Sequence, residues 1–188
     1  MRIISGKLKG RSLTTPADQR IRPTTDKVKE AIFSMIQGWI DEDSVCIDLF
    51  SGTGNLGLEA ISRGAKTVYF CDNHRESLNL TRTNVRHCQV EDQAVLMLGD
   101  YTVNLEKIRQ KADVIFLDPP YHQKLVPDCL KRIAECGVLA SWGIVVAEHL
   151  ADDPLPQEIC GLNVIKERKY GTILVTVYGY PEEEEDID

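Results

Sequence analysis

Between residues 44 and 148 short apolar runs alternate with stretches of helical period, and few folds satisfy that alternation. The runs 45–50, 67–71, 94–98, 113–117 and 143–148 are each one strand long, and most are too apolar to leave a face in water. Helical spacing fills the intervals near 56–63, 75–86, 102–109 and 123–140. Strands buried on both faces and joined by helical crossovers make a mostly parallel sheet with helices on both sides. The pattern then changes. Residues 163–169 and 172–178, joined by Tyr170-Gly171, predict a terminal hairpin that adds an antiparallel edge. At 188 residues the economical architecture is one doubly wound α/β domain, large enough to bury about 70% of its unfolded-chain surface.

Ahead of the sheet, residues 1–15 alternate around Gly6 and Gly10 and predict a small β-hairpin, followed by a loop over 16–23. Thr24 or Thr25 can cap the next helix, in which Val28, Ala31, Ile32, Met35, Ile36 and Trp39 recur at helical spacing. That spacing places Trp39 in the core. The expected organisation is therefore a basic hairpin and loop appended over 1–23, one domain over 24–181, and an acidic disordered tail over 182–188.

The first strand runs into Asp48-Leu49-Phe50-Ser51-Gly52-Thr53-Gly54-Asn55-Leu56-Gly57, where Gly52, Gly54 and Gly57 fit a G-x-G-x-x-G nucleotide turn. Two glycines allow a tight turn and a close ligand; the third lets helix and strand pack. Asp72 ends the second strand twenty residues after Gly52, where a carboxylate can accept from ribose hydroxyls. This set serves a dinucleotide as well as S-adenosylmethionine. Asp48 favours the latter, since a carboxylate suits a cationic amino group and repels a pyrophosphate. Gly99-Asp100-Tyr101 closes the third strand, where Asp100 can accept from an adenine amine and Tyr101 can flank the ring; capping a helix is the competing role for Asp100. The candidate cofactor residues are Asp48, Phe50, Ser51, Gly52, Thr53, Gly54, Asp72, Asn73, Asp100 and Tyr101.

Asp118-Pro119-Pro120-Tyr121 follows the fourth strand directly. Each proline locks its own φ and biases the preceding residue toward extended geometry. The Asp118 carboxylate and the Asp118 and Pro119 carbonyls thereby become stationary acceptors for a planar exocyclic amine, and Tyr121 offers a ring for stacking. These four residues are the catalytic candidates. Glu148, at the end of a strand, is expected to be structural.

The net charge of −7 is unevenly spread. Residues 1–30 carry eight Lys and Arg against three acids, while 182–188 carry six acids and no base. A basic arm before an acidic body permits polyanion binding by one face. Arg2, Lys7, Lys9, Arg11, Arg20 and Arg22 are the candidate polyanion contacts. The cysteines, Cys46, Cys71, Cys88, Cys129, Cys136 and Cys160, form no Cys-x-x-Cys pair, and no Cys/His spacing suits zinc. Reduced structural thiols, no metal, no membrane and a cytoplasmic location are expected.

In this order the motifs resemble those of the class I S-adenosylmethionine-dependent methyltransferases, and Asp118–Tyr121 resembles their branch acting on adenine N6, cytosine N4 or guanine N2. Residues 1–11, 22–33, 48–57, 118–121 and Lys169-Tyr170-Gly171 are similar to blocks of the RsmD family, a likeness covering all but the acidic tail. That resemblance implies a Rossmann-like seven-stranded sheet whose last strand is antiparallel, with a small hairpin and helix at the N-terminus. It implies methylation of N2 on one guanine of bacterial 16S rRNA (by analogy guanine 966), alone or in an assembling small subunit, by a monomer. It makes RNA the polyanion contacted by Arg2, Lys7, Lys9, Arg11, Arg20 and Arg22, and it hints that Arg22-Pro23-Thr24 folds over the cofactor. An adenine or cytosine methyltransferase acting on DNA, or an NAD-binding oxidoreductase, remains the alternative.

Overall fold

The computed structural model describes residues 1–17 and 25–183. Thr25 starts the first helix: its Oγ1 accepts from the Val28 amide at 3.3 Å, and α1 runs over Asp26–Met35. The helix ends four residues before Trp39, which lies instead in the 3₁₀ turn Gln37–Trp39 and is only half-buried. Out of phase with the apolar face, its Nε1 donates to the Trp142 carbonyl at 3.1 Å, and the Lys166 ammonium lies 5.1 Å above its ring. Trp39 thus packs against the edge of the core, as a partly buried side chain.

Strands and helices then alternate: β1 Val45–Asp48, α2 Asn55–Ser62, β2 Thr67–Asp72, α3 Arg75–His87, β3 Ala94–Leu98, α4 Tyr101–Lys107, β4 Ala112–Leu117, α5 Val126–Cys136 and β5 Leu139–Leu150. β6 Glu158–Ile159, β7 Leu162–Tyr170 and β8 Ile173–Gly179 complete the sheet. Its order is β3-β2-β1-β4-β5-β8-β7-β6, with β1 to β5 parallel, and β8 antiparallel to both β5 and β7. Eight strands replace the seven expected, because Glu158 and Ile159 pair with β7 as an edge too short to carry any period. The helix expected to reach residue 140 stops at Cys136, where Gly137 turns left-handed at φ 61° and lets β5 begin.

Alternating strand residues fill two cores, one on each face of the sheet. Cys46, Val68, Phe70, Val114 and Phe116 pack under α1 and α2, while Ile47, Leu49, Ile115 and Leu117 pack under α4 and α5. The N-terminal segment joins the first of these cores through Ile3, Leu8 and Leu13. In place of a regular hairpin it forms a turn closed by one antiparallel bridge, Arg2 with Ser12. Gly6 seats this turn: at φ +83° a Cβ there would lie 1.9 Å from the Ser62 carbonyl oxygen, so the turn rests directly on the end of α2.

A buried ion pair fastens it further. Lys29 Nζ lies 3.1 Å from Glu59 Oε2 and donates to the Arg2 carbonyl at 2.6 Å and to Asn55 Oδ1 at 2.7 Å. The Glu59 carboxylate accepts from the Ile4 and Ser5 amides and from Arg63 Nε. All six thiols are free, and Cys46, Cys71, Cys88 and Cys129 are buried. Among the described residues no helix is long and apolar enough to cross a membrane.

Candidate active site

β1 lies between β2 and β4, with Asp48 opposite both Phe70 and Phe116. Asp48, Asp72 and Asp118 therefore stand at one end of three neighbouring strands, where a doubly wound sheet keeps its ligands. The chain leaving β1 makes a tight turn, the Gly54 amide donating to the Ser51 carbonyl at 2.6 Å. Gly52 takes φ +53°, and a Cβ there would have no atom within 4 Å, so this corner is open ground. Gly57 does the opposite: its Cβ would lie 2.3 Å from Phe70 Cε1, so the bare backbone lets α2 press onto β2. Gly54, expected to share the open side of the turn with Gly52, instead faces inward at φ +82°, where a Cβ would lie 3.1 Å from Thr81 Cγ2.

Ser51 and Thr53 are buried on the supporting side of the turn. Ser51 Oγ is 3.1 Å from Thr81 Oγ1, which donates to the Gly52 carbonyl at 2.8 Å, and Asn84 Nδ2 donates to the Thr53 carbonyl at 2.8 Å. Thr81 and Asn84 are supports that sequence reasoning missed. Their signal was available: two polar side chains on the face of α3 that also carries Leu78 and Val85.

Asp48 is only 2% exposed, and its Oδ2 accepts from the Gly57 amide at 3.0 Å. The ligand-facing position expected for it gives way to one that ties the first turn of α2 to β1. Burial pushes its carboxyl up to about 7; the Gly57 bond opposes this and the charge of Asp72 adds to it. The folded protein consequently holds a proton that the unfolded chain, with a carboxyl near 3.8, releases. Stability from this group is therefore lost as pH rises from about 4 to about 7. In urea unfolding of the ligand-free protein, Asp48→Asn should gain on wild type progressively across that window; a constant difference between the two would refute the assignment.

Asp72 is held by two amides, Gly52 N to Oδ2 at 3.0 Å and His74 N to Oδ1 at 2.9 Å, with Asn73 exposed beside it. Asp100 performs the competing role weighed for it: Oδ1 accepts from Thr102 N at 2.9 Å and Thr102 Oγ1 at 2.6 Å, capping α4. The next residue, Tyr101, meets Phe50 with ring centroids 5.8 Å apart and planes tilted by 47°, and its hydroxyl donates to Asp128 on α5. Phe50 and Tyr101, fifty-one residues apart in sequence, thus form one aromatic wall.

Past β4, Asp118 is half-buried, Pro119 buried and Pro120 exposed. Pro120 (φ −55°, ψ 125°) leads into a 3₁₀ turn, Tyr121–Gln123. The Tyr121 hydroxyl donates to Glu148 Oε1 at 2.7 Å. Pro119, Pro120, Tyr121 and Glu148 share the lining of a cavity of about 110 Å³. Glu148, expected only to be structural, is thus part of this corner.

On the arm, Arg2, Lys7 and Lys9 are exposed and Arg11 is half-buried. Arg2 Nε reaches Asp26 at 3.1 Å, Lys7 Nζ donates to Gln93 Oε1 at 2.7 Å and Arg11 donates to the His87 carbonyl at 3.0 Å. Arg20, Arg22, Pro23 and Thr24, with the fold-over expected of 22–24, lie outside the described residues, as do 184–188 of the tail. Among the described residues no group of three or more His, Cys, Asp and Glu could hold a metal ion.

The family model described as Conserved hypothetical protein 95 matches residues 1–179. A Bacillus subtilis protein, YlbH, named as a candidate rRNA methyltransferase, is 36% identical over 181 residues, covering 95% of this chain and 98% of its own length. Ribosomal RNA small subunit methyltransferase D of Haemophilus influenzae is 31% identical over 183 residues, covering 95% and 93%. A solved Escherichia coli structure, yhhF, described as a candidate methyltransferase, superposes with a TM-score of 0.85 at 25% identity, covering 97% of this chain and 99% of its own.

Proposed function

The chain belongs to the family described as Conserved hypothetical protein 95, the RsmD family, and is an rRNA methyltransferase with the Rossmann-like class I fold; from that premise we propose that it methylates the exocyclic N2 amine of one guanine in 16S rRNA, using S-adenosylmethionine. The observation that carries this reading is the direct pairing of β1 with β4, Asp48 opposite Phe116, which sets the glycine turn and the Asp118 bend side by side.

The residues present fit that cofactor. Asp72, Asp100 and Asp118 bring three carboxylates to one edge, a set that suits a cationic ligand and repels the pyrophosphate of a dinucleotide. The open side of Gly52 lets a ligand lie against the backbone. Asp72 would take the ribose hydroxyls, and Phe50 and Tyr101, with Asp100, the adenine. When bound, the cofactor supplies an electrophilic methyl group on a sulfonium.

Guanine N2 is a poor nucleophile because its lone pair is delocalised into the ring, so orientation matters more than a strong base. The Asp118 carboxylate and the Asp118 and Pro119 carbonyls accept its hydrogens and hold it in line. Such positioning contributes on the order of 7–11 kcal/mol in well-aligned cases. Tyr121 stacks on a base rotated out of its helix, since a stacked duplex hides the amine. Arg2, Lys7, Lys9 and Arg11 neutralise phosphates without reading sequence.

The test is incubation with labelled S-adenosylmethionine and unmodified small ribosomal subunits, naked 16S rRNA or DNA, followed by nucleoside mass spectrometry. N2-methylguanosine in the rRNA is the expected product. Label confined to adenine or cytosine, or to DNA, would overturn the proposal.

A further inference from the structure

We propose that Glu148 reads the target base, accepting the N1–H of guanine beside the Asp118 that accepts its N2 amine, an assignment that rests on the guanine-N2 reading above. The register of β4 and β5 pairs Leu117 with Ala147. The residues that follow, Asp118 just past the end of β4 and Glu148 two residues before the end of β5, therefore lie on neighbouring chain segments, about 4.8 Å apart in the sheet. Guanine N1 and N2 are bonded to the same ring carbon, so two carboxylates side by side match two donors side by side.

Three features fit Glu148 for this task. It is 4% exposed, so a base meeting it is shielded from water. It shares with Pro119, Pro120 and Tyr121 the lining of the cavity beside the proposed catalytic bend. Its carboxylate is oriented by the Tyr121 hydroxyl at 2.7 Å, from the same residue whose ring is proposed to stack on the base. Tyr121 thereby serves as a positioning residue for Glu148 as well as a platform.

The chemistry then selects among the amino bases. An ionised carboxylate only accepts hydrogen bonds. Guanine presents a donor, N1–H, next to its amine; adenine and cytosine present a bare ring nitrogen there, and two acceptors facing each other in a buried site repel. A site built around a substrate N–H rejects analogues lacking it far more strongly than an apolar pocket can. The bend formed by Asp118 to Tyr121 accepts any exocyclic amine; Glu148 makes the choice of guanine.

The test uses the full-length protein and small subunits reconstituted with guanine or 2-aminopurine at the target, the latter keeping the amine but lacking N1–H. Wild type should methylate guanine at least about tenfold faster in kcat/KM. Glu148→Gln, whose amide can donate to a bare N1, should slow guanine and narrow that ratio toward one. Tyr121→Phe should narrow it partially, and it stands in if Glu148→Gln fails to fold. A wild-type ratio near one, or an unchanged ratio in a folded Glu148→Gln protein, overturns the assignment while guanine methylation itself stands. If wild type forms no N2-methylguanosine on any substrate, the parent reading falls and takes this one with it.

Discussion

Asp118→Ala is expected to lower kcat by about 10²–10³-fold, the usual consequence of removing one pre-aligned polar group from a reacting centre, with S-adenosylhomocysteine affinity near that of wild type. The separation follows from the geometry. Asp118 stands beyond the buried end of β4 and is half-exposed, whereas the proposed cofactor contacts (Gly52, Asp72, and the Phe50–Tyr101 wall) come from the loops after β1, β2 and β3. Pro119 and Pro120 still shape the bend in the variant, so the backbone acceptors persist. Asp118→Asn, which retains one side-chain acceptor, should lose less. Isothermal titration with S-adenosylhomocysteine and single-turnover methyl transfer read the two properties apart. Near-normal turnover of Asp118→Ala would refute the assigned role, and loss of cofactor binding would move Asp118 to the cofactor's side of the cleft.

The parts of this site that were legible in the sequence are those in which a local backbone requirement leaves a residue signature. Gly52, Gly54 and Gly57 announce a turn and a close helix contact because no other residue type tolerates both. The two prolines announce a fixed bend, and the five parallel strands announce themselves by apolar runs. What escaped depended on partners distant in sequence. Glu148 gains its place from Tyr121, twenty-seven residues earlier. Thr81 and Asn84 are understood only once the turn after β1 lies against α3. Asp48 was read as ligand-facing because strand-end position does not reveal that the Gly57 amide, nine residues on, takes its carboxylate. Lys29 was invisible for a related reason: helical period marks which face is buried but not that a cation on that face meets Glu59 across thirty residues.

That ion pair carries the largest stability effect expected in the molecule. Both side chains are fully buried, and taking one partner away leaves the other desolvated without compensation. Such removals cost about 3–5 kcal/mol. Glu59→Ala is the more severe choice, since Lys29 loses its anion, the Ile4 and Ser5 amides lose their acceptor, and Arg63 loses its partner. Lys29 already has its pKa lowered, burial outweighing the attraction of Glu59. Without Glu59 it falls further, so between that folded value and the ordinary 10.5 the unfolded chain binds the extra proton and stability rises with pH. The deficit of Glu59→Ala should therefore shrink in urea titrations as pH is raised, and Lys29→Met added to Glu59→Ala should recover part of it at neutral pH. The damage should also be local. Because Glu59 and Lys29 bond the backbone of residues 2, 4 and 5, limited proteolysis of Glu59→Ala should cut within 1–17 well before the sheet opens. Equal protection of that segment in variant and wild type would show that the core contacts of Ile3, Leu8 and Leu13 hold the arm without the charges.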